Sequence, residues 1–343
     1  MFISKKYLPN MLYKAAFYTF FLSLCLIAVR DLTIEFFALP AENNFLVPAG
    51  KVLEPEKESF SFAVMSDTGA QNGPLEEILR RAGKDEKNAF MLHLGDLIRY
   101  RNISHYRWLI NEMDEEASLL PFYIIPGNHE VANRFGRVDK SAYKAAFGQP
   151  YYWFSYGNTM FIALDSSEGE YSRIQLDWLE DILEKIRPHY KNCIIYTHIP
   201  PINSDNWKKK IKITPSFSKL KQIISDKNIT LFLSGHIHQY DNKNMDGIPL
   251  LTLMPSGQPP RSAPHKFGYV VIDINENGVK QITPYYLESN YKHANEYVEM
   301  FFSNVFVDDR SLVVIFSGMG LSLLLAIAAF ILQRCCKLGG KRF

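Results

Sequence analysis

The amino-acid sequence predicts an α/β protein whose second half turns strand-rich, flanked by two long apolar segments. Three observations predict it. Short apolar runs alternate with amphipathic stretches from Ser59 onward, turn residues separate them, and beyond Asp246 the amphipathic stretches give way to strands alone. With 343 residues, 47% of them hydrophobic and 22% charged, the chain has apolar material for one or two domains and is neither disordered nor collagen-like.

In order, Lys5, Lys6 and Lys14 lead into an uncharged run at 15–29, a length that suits a signal-peptide core or a short anchor. No small-x-small cleavage site follows it, so residues 1–30 read as a cytoplasmic tail and signal anchor, with a cleaved signal peptide as the alternative. Residues 31–57, with Pro40, Pro48 and Pro55, read as a linker. Then SFAVMSD (strand), PLEEILRRAG (helix), AFMLHLGD (strand), HYRWLINEMDEEASLL (helix, 105–120) and FYIIPGNHE (strand) set a βαβ rhythm. The strand pair YYWFSYG and MFIALDS is followed by the helical RIQLDWLEDILEKI, the strand NCIIYTH, the helical KLKQIISDK and the strand LFLSGHIH. An Asp246–Gly247 hairpin turn opens the all-β part, PLLTLMPSG, YVVIDI and KQITPYYL, which closes a folded body over 58–300.

From Ser311 to Gln333 there is no charge. At 1.5 Å per residue this segment is about 34 Å long, enough for a transmembrane helix across roughly 30 Å of hydrocarbon. Arg334, Lys337, Lys341 and Arg342 make 334–343 a basic tail, which the positive-inside rule places in the cytoplasm. The body then faces the periplasm, a lumen or the exterior.

All 36 Asp and Glu fall between Asp31 and Asp309, whereas eight of the 38 Lys and Arg lie at or before Arg30 or at or beyond Arg334. Thirty basic residues against 36 acids leave 31–310 at a net charge of −6, which disfavours a nucleic-acid footprint. Lys208, Lys209 and Lys210 are the basic run of the body, read as a solvated loop or a contact for anionic head groups. Cys25, Cys193, Cys335 and Cys336 build no disulfide framework, and Cys193 reads as a core thiol.

Polar residues gather where strands end. Asp67, Asp96, Asn128 with His129, His198, and His236 with His238 follow five apolar runs, and α/β folds keep their sites at such carboxyl ends. Carboxylate, amide oxygen and imidazole donors together suit borderline first-row metals such as Mn, Fe or Zn. Six donors are too many for one tetrahedral ion, and a bridging carboxylate lets two ions lie about 3.5–4 Å apart.

The order Asp67-Thr68-Gly69, Gly95-Asp96, Gly127-Asn128-His129-Glu130, His198 and Gly235-His236-Ile237-His238 resembles the calcineurin-like metallophosphoesterase superfamily over roughly 59–290. The resemblance implies a four-layer α/β/β/α sandwich. It implies Asp67 and His238 on a first metal, Asn128, His198 and His236 on a second, and Asp96 bridging. It further implies that His129 would face the phosphate and assist the leaving oxygen, while a hydroxide shared by two cations would attack phosphorus. Gly69, where most members have His, and the phrases YYWFSYGNTMFIALDSS and YTHIPP look like the purple acid phosphatase branch. That branch has Tyr three residues after the second Asp, but here Arg99 stands there and Tyr100 one place beyond, which leaves the first site a protein ligand short. Arg99 and Arg101 are candidates for the substrate phosphate. Glu130 and Asp165 are candidates either for orienting histidines or for a helix N-terminal charge or an ordinary loop contact, and His93 reads as a core residue.

The expectation is a membrane-anchored, dinuclear phosphoesterase acting on a phosphorylated small molecule or lipid. The alternatives are a phosphodiesterase or pyrophosphatase acting on a lipid-linked head group, and a non-catalytic membrane protein that binds a phosphorylated ligand.

Overall fold

A computed structural model describes residues 8–36, 49–69, 72–98, 101, 106, 109–110, 120–132, 137–207, 209–258, 266–287 and 309–339. The chain divides into two compact units, Leu39–Glu296 and the two terminal segments together. In the first unit the apolar runs become twelve described strands in two sheets. One holds β1 (Lys51–Leu53), β5 (Tyr152–Tyr156), β6 (Thr159–Leu164), β7 (Asn192–Thr197), β8 (Leu231–Ser234), β10 (Ile248–Thr252) and β9 (Asp241–Met245), in that order. The other runs β12 (Gly278–Leu287), β11 (Phe267–Asn275), β2 (Phe60–Met65), β3 (Asn88–His93), β4 (Phe122–Ile124).

Alternation along each strand sorts side chains to two faces. Phe62 and Val64 of β2 point to the other sheet, where Phe62, Phe90, Phe154 and Phe161 pack with ring centroids 4.9–5.5 Å apart. Ala63 and Met65 point the opposite way, onto Leu75, Ile78, Leu79 and Ala82 of helix α2 (Asn72–Lys84). The larger sheet likewise turns Ile162, Leu164 and Ile195 onto two helices, Arg173–Lys185 and Pro215–Ile224. Helix, sheet, sheet and helix are thus separated by three apolar cores. All six residues of β2 are buried, as expected of a strand covered on both faces. Truncating a core Phe to Ala typically costs about 3–5 kcal/mol. Cys193 is buried in the outer core, and burial pushes its thiol up to about 12.

β2, β3 and β4 are parallel neighbours, as are β7 and β8, so within each sheet their carboxyl ends share an edge. The structure adds β1 inside the stretch read as linker, paired in parallel with β5 at Lys51↔Phe154. Three residues, Lys51, Val52 and Leu53, are too short a run to mark a strand in sequence; Val52 is exposed, and Leu53 packs half-buried against the core between the sheets. The Asp246–Gly247 turn joins β9 and β10 as the sequence suggests. Of the helix expected over 105–120, only 106, 109, 110 and 120 lie inside the described residues; the first three are helical and buried.

In the second unit, α1 (Leu8–Phe36) outruns the uncharged 15–29 stretch, because a helix continues on backbone hydrogen bonds where apolarity stops. A second helix covers Asp309–Gly339. Small residues line much of their contact: Ala16, Ser23, Ser322 and Ala329 are buried, as is Ile315, and Ser322 Oγ donates to Ala16 O at 2.6 Å. Phe17, Phe21, Phe316, Leu323 and Leu324 are more than half exposed on the outer sides. Both helices are long and apolar enough to cross a membrane, over Leu8–Val29 and Ile315–Gln333.

Candidate metal centre

The strand-end residues converge. His198, directly after β7, is fully buried, and its Nδ1 lies 2.8 Å from Leu94 O. A carbonyl only accepts, so Nδ1 carries a proton and Nε2 is the atom turned inward. That Nε2 is 3.2 Å from Asp96 Oδ2, 3.3 Å from Asn128 Oδ1 and 3.1 Å from His236 Nδ1. Donor atoms of Asp96, His198 and His236 all lie within 4.8 Å of one another.

Asp67 and His238 form the neighbouring half. Asp67 Oδ2 accepts from Ser66 Oγ at 2.6 Å and from His236 N at 3.0 Å. Its Oδ1 is buried 3.1 Å from His238 Nε2 and receives no hydrogen bond of ordinary geometry among the described residues. Burial opposes charge on both carboxylates, yet His238 and His198 hold Asp67 far below the ordinary range, and His198 holds Asp96 below it. Burial also opposes charge on His198, which Asp96 nevertheless raises above the usual imidazole value.

Backbone conformation marks the same residues. Asp67, Asp96, His236 and His238 have φ of 57°, 56°, 66° and 56°, the left-handed region that costs a non-glycine residue energy. Four of the seven described non-glycine residues with positive φ are therefore candidate ligands. Buried carboxylates and imidazoles held in strained backbone fit a site arranged for cations rather than for packing.

The loops that carry them are tied together. Glu130 accepts from Asp96 N at 2.7 Å, Gly127 N at 2.6 Å and Ile98 N at 3.0 Å. Burial and the charge of Asp96 push its carboxyl up to about 8, against the pull of the Ile98 and Gly127 amides. Of the two readings of Glu130 the loop contact holds among the described residues: its carboxylate holds backbone, because three amides at the β3 and β4 ends need an acceptor. Asp165 holds no histidine either, since Lys140 Nζ and Ser167 Oγ, each 2.5 Å from it, occupy its oxygens. Gly127 has no side chain because a Cβ there would lie 2.2 Å from Asp96 Oδ1. Gly69, at φ +60°, would bring a Cβ within 2.5 Å of Gln258 Cγ, which accounts for its identity by turn geometry.

His129 stands at the mouth, 32% exposed, with its N donating to Asp96 Oδ1 at 2.9 Å and its Nε2 3.7 Å from Asp96 Oδ2. Arg101 is turned to Asp139, with which it forms an ion pair. Arg99 and Tyr100 lie outside the described residues. Sequence reasoning placed Lys209 in a solvated run, yet its Nζ lies 3.2 Å from His236 Nδ1. The Leu94 carbonyl that sets the His198 tautomer is backbone and leaves no mark in sequence.

Known proteins bear on this geometry. The chain is 26% identical over 152 residues to a probable cyclic nucleotide phosphodiesterase of Fibrobacter succinogenes, covering 42% of this chain and 55% of that protein. It is 26% identical over 180 residues to a 3',5'-cyclic adenosine monophosphate phosphodiesterase of Haemophilus influenzae, covering 49% and 62%. It is 21% identical over 143 residues to purple acid phosphatase 23 of Arabidopsis thaliana, covering 38% and 31%. The chain thus spans between 31% and 62% of these relatives' lengths. In fold it resembles purple acid phosphatase PPD1 of yellow lupin seeds, at 15% identity and a TM-score of 0.54 over 70% of this chain and 53% of that one. It also resembles GAP50, the anchor in the inner membrane complex of Plasmodium, at 15% identity and a TM-score of 0.51 over 69% and 87%. The calcineurin-like phosphoesterase family model matches residues 60–240. That stretch is more than half the chain and holds every candidate ligand, and the protein therefore belongs to the calcineurin-like phosphoesterase family.

Proposed function

We propose that this chain is a membrane-tethered phosphoesterase that uses two first-row metal ions to hydrolyse phosphate esters. The observation that carries it is the meeting of Asp96, His198 and His236 donor atoms within 4.8 Å, beside a buried Asp67 oxygen 3.1 Å from His238 Nε2. Asp67 and His238 would hold one ion, Asn128, His198 and His236 the other, with Asp96 between them. When bound, the ions supply Lewis acidity and a water of lowered pKa.

The protein's own groups do the rest. Leu94 O holds the His198 ring so that Nε2 faces the cluster. Glu130, by gripping the Asp96 and Gly127 amides, keeps the two loops in register. His129, about a third exposed beside Asp96, gives a proton from its ring to the leaving-group oxygen as the P–O bond breaks. The apolar outer faces of the two terminal helices support anchoring at a bilayer, with the 58–300 domain on the extracytoplasmic side. They also favour a second reading, a phosphodiesterase or pyrophosphatase on a lipid-linked head group, since a tethered site meets such substrates at high local concentration.

Detergent-purified protein assayed with Mn²⁺ on a phosphomonoester, a phosphodiester and mixed-lipid vesicles tests both. Turnover of soluble esters with none on lipid supports the first reading and sinks the second. Two metals per chain with tight phosphate binding but no turnover would favour a non-catalytic receptor.

A further inference from the structure

The loop between β7 and the Pro215–Ile224 helix brings to the cluster a lysine that no motif assigns. Asn203 closes this loop: its Oδ1 accepts from Ile211 N and its Nδ2 donates to Ile211 O, both at 2.7 Å. Between them Trp207 is 1% exposed, and its Nε1 donates to Asp241 Oδ2 at 2.7 Å. Anchored at its ends and at its middle, the loop holds Lys209 over His236. Lys209 Nζ lies 3.2 Å from His236 Nδ1 and donates to His236 O at 3.3 Å. His236 Nδ1 is itself 3.1 Å from His198 Nε2, so an ammonium reaches the innermost donors. Its neighbour Lys210 turns to Ser204 O at 2.8 Å, and Arg101 is paired with Asp139.

We infer that Lys209 is a substrate-binding residue whose ammonium takes a non-bridging oxygen of the substrate phosphate and favours doubly charged phosphomonoesters over singly charged diesters. This rests on the phosphoesterase reading of the cluster. A cation beside His236 Nδ1 is poorly placed once that nitrogen is given to a metal, because like charges repel. The four-carbon stem lets the ammonium move while the anchored loop stays, and a phosphate bound at the cluster presents anionic oxygens to it. Lysine binds phosphate as a point charge, so its effect scales with the charge of the ester.

Calorimetric titration of the manganese-loaded full chain with inorganic phosphate tests this, alongside kinetics on p-nitrophenyl phosphate and bis(p-nitrophenyl) phosphate. Lys209→Ala is expected to weaken phosphate binding about tenfold and to raise the monoester KM by a similar factor, the loss of one charge-assisted contact. The same variant should leave kcat within about twofold and the diester KM within about threefold, with Lys209→Arg restoring most of the loss. Equal phosphate affinity in wild type and Lys209→Ala, with two manganese ions in each, overturns the inference and leaves the phosphoesterase reading standing. Wild-type protein that binds neither manganese nor phosphate overturns both. A fall in kcat alone, not rescued by arginine, assigns Lys209 to holding His236 and also overturns it.

Discussion

The two halves of the strand-end cluster are built unequally. On one side Asp96, Asn128 and His236 approach a single nitrogen of His198, within 3.1–3.3 Å. On the other, Asp67 has one oxygen taken by Ser66 and the His236 amide, and the second meets His238. The first half brings more donors together; the second depends on two side chains, Asp67 and His238. Donor number sets how tightly an ion is held, so one scaffold can hold two ions with different affinity.

The largest effect is expected where the halves meet. Asp96→Asn removes the shared charge and should lower phosphoesterase turnover about 10³-fold, with both metals depleted by elemental analysis. Turnover retained with full metal content would break the idea of a shared carboxylate. His129→Ala should cost about 10²-fold in kcat while metal content stays whole, because the residue stands at the mouth and not among the donors. Chelator titration should then empty the Asp67–His238 half first. A site filled at about 100 times its dissociation constant adds about 2.7 kcal/mol, so losing the tighter ion should produce the larger drop in melting temperature. A single-step loss of both ions would erase the asymmetry.

The parts of this site legible in sequence are those a side chain must supply. Asp67, Asp96, Asn128, His198, His236 and His238 each follow an apolar run, and a strand's carboxyl end is where such a run delivers a polar group. β2 and β3 were legible for the same reason, as buried runs. What stayed hidden is held by backbone or by distance in the chain. β1 is three residues long, too short a run to stand out from a linker, Leu94 contributes a carbonyl, and Lys209 arrives on a loop whose anchors, Asn203 and Trp207, carry no motif. Glu130 is visible in sequence but its partner is not, because a carboxylate beside histidines looks alike whether it holds an imidazole or three amides.

The smallest effect, and the sharpest probe of how the halves are joined, lies at His93. Gly95 N is 3.2 Å from His93 Nδ1, and an amide only donates, so Nδ1 accepts and the proton sits on Nε2. Nε2–H therefore donates to Thr68 Oγ1 at 3.2 Å, and that hydroxyl donates onward to Leu97 O at 3.1 Å. One buried ring thus links the Asp67 loop to the Asp96 loop, and burial drives its pKa down to about 3, which keeps it neutral throughout the neutral range. His93→Leu leaves the Thr68 hydroxyl and the Gly95 amide without their partner. The expected loss is about 1–3 kcal/mol of stability, read from the denaturant midpoint. Because the ring ties both halves alike, the two metals should weaken together, with turnover reduced less than about tenfold. Loosening confined to one half would show that the asymmetry extends below the cluster into its support.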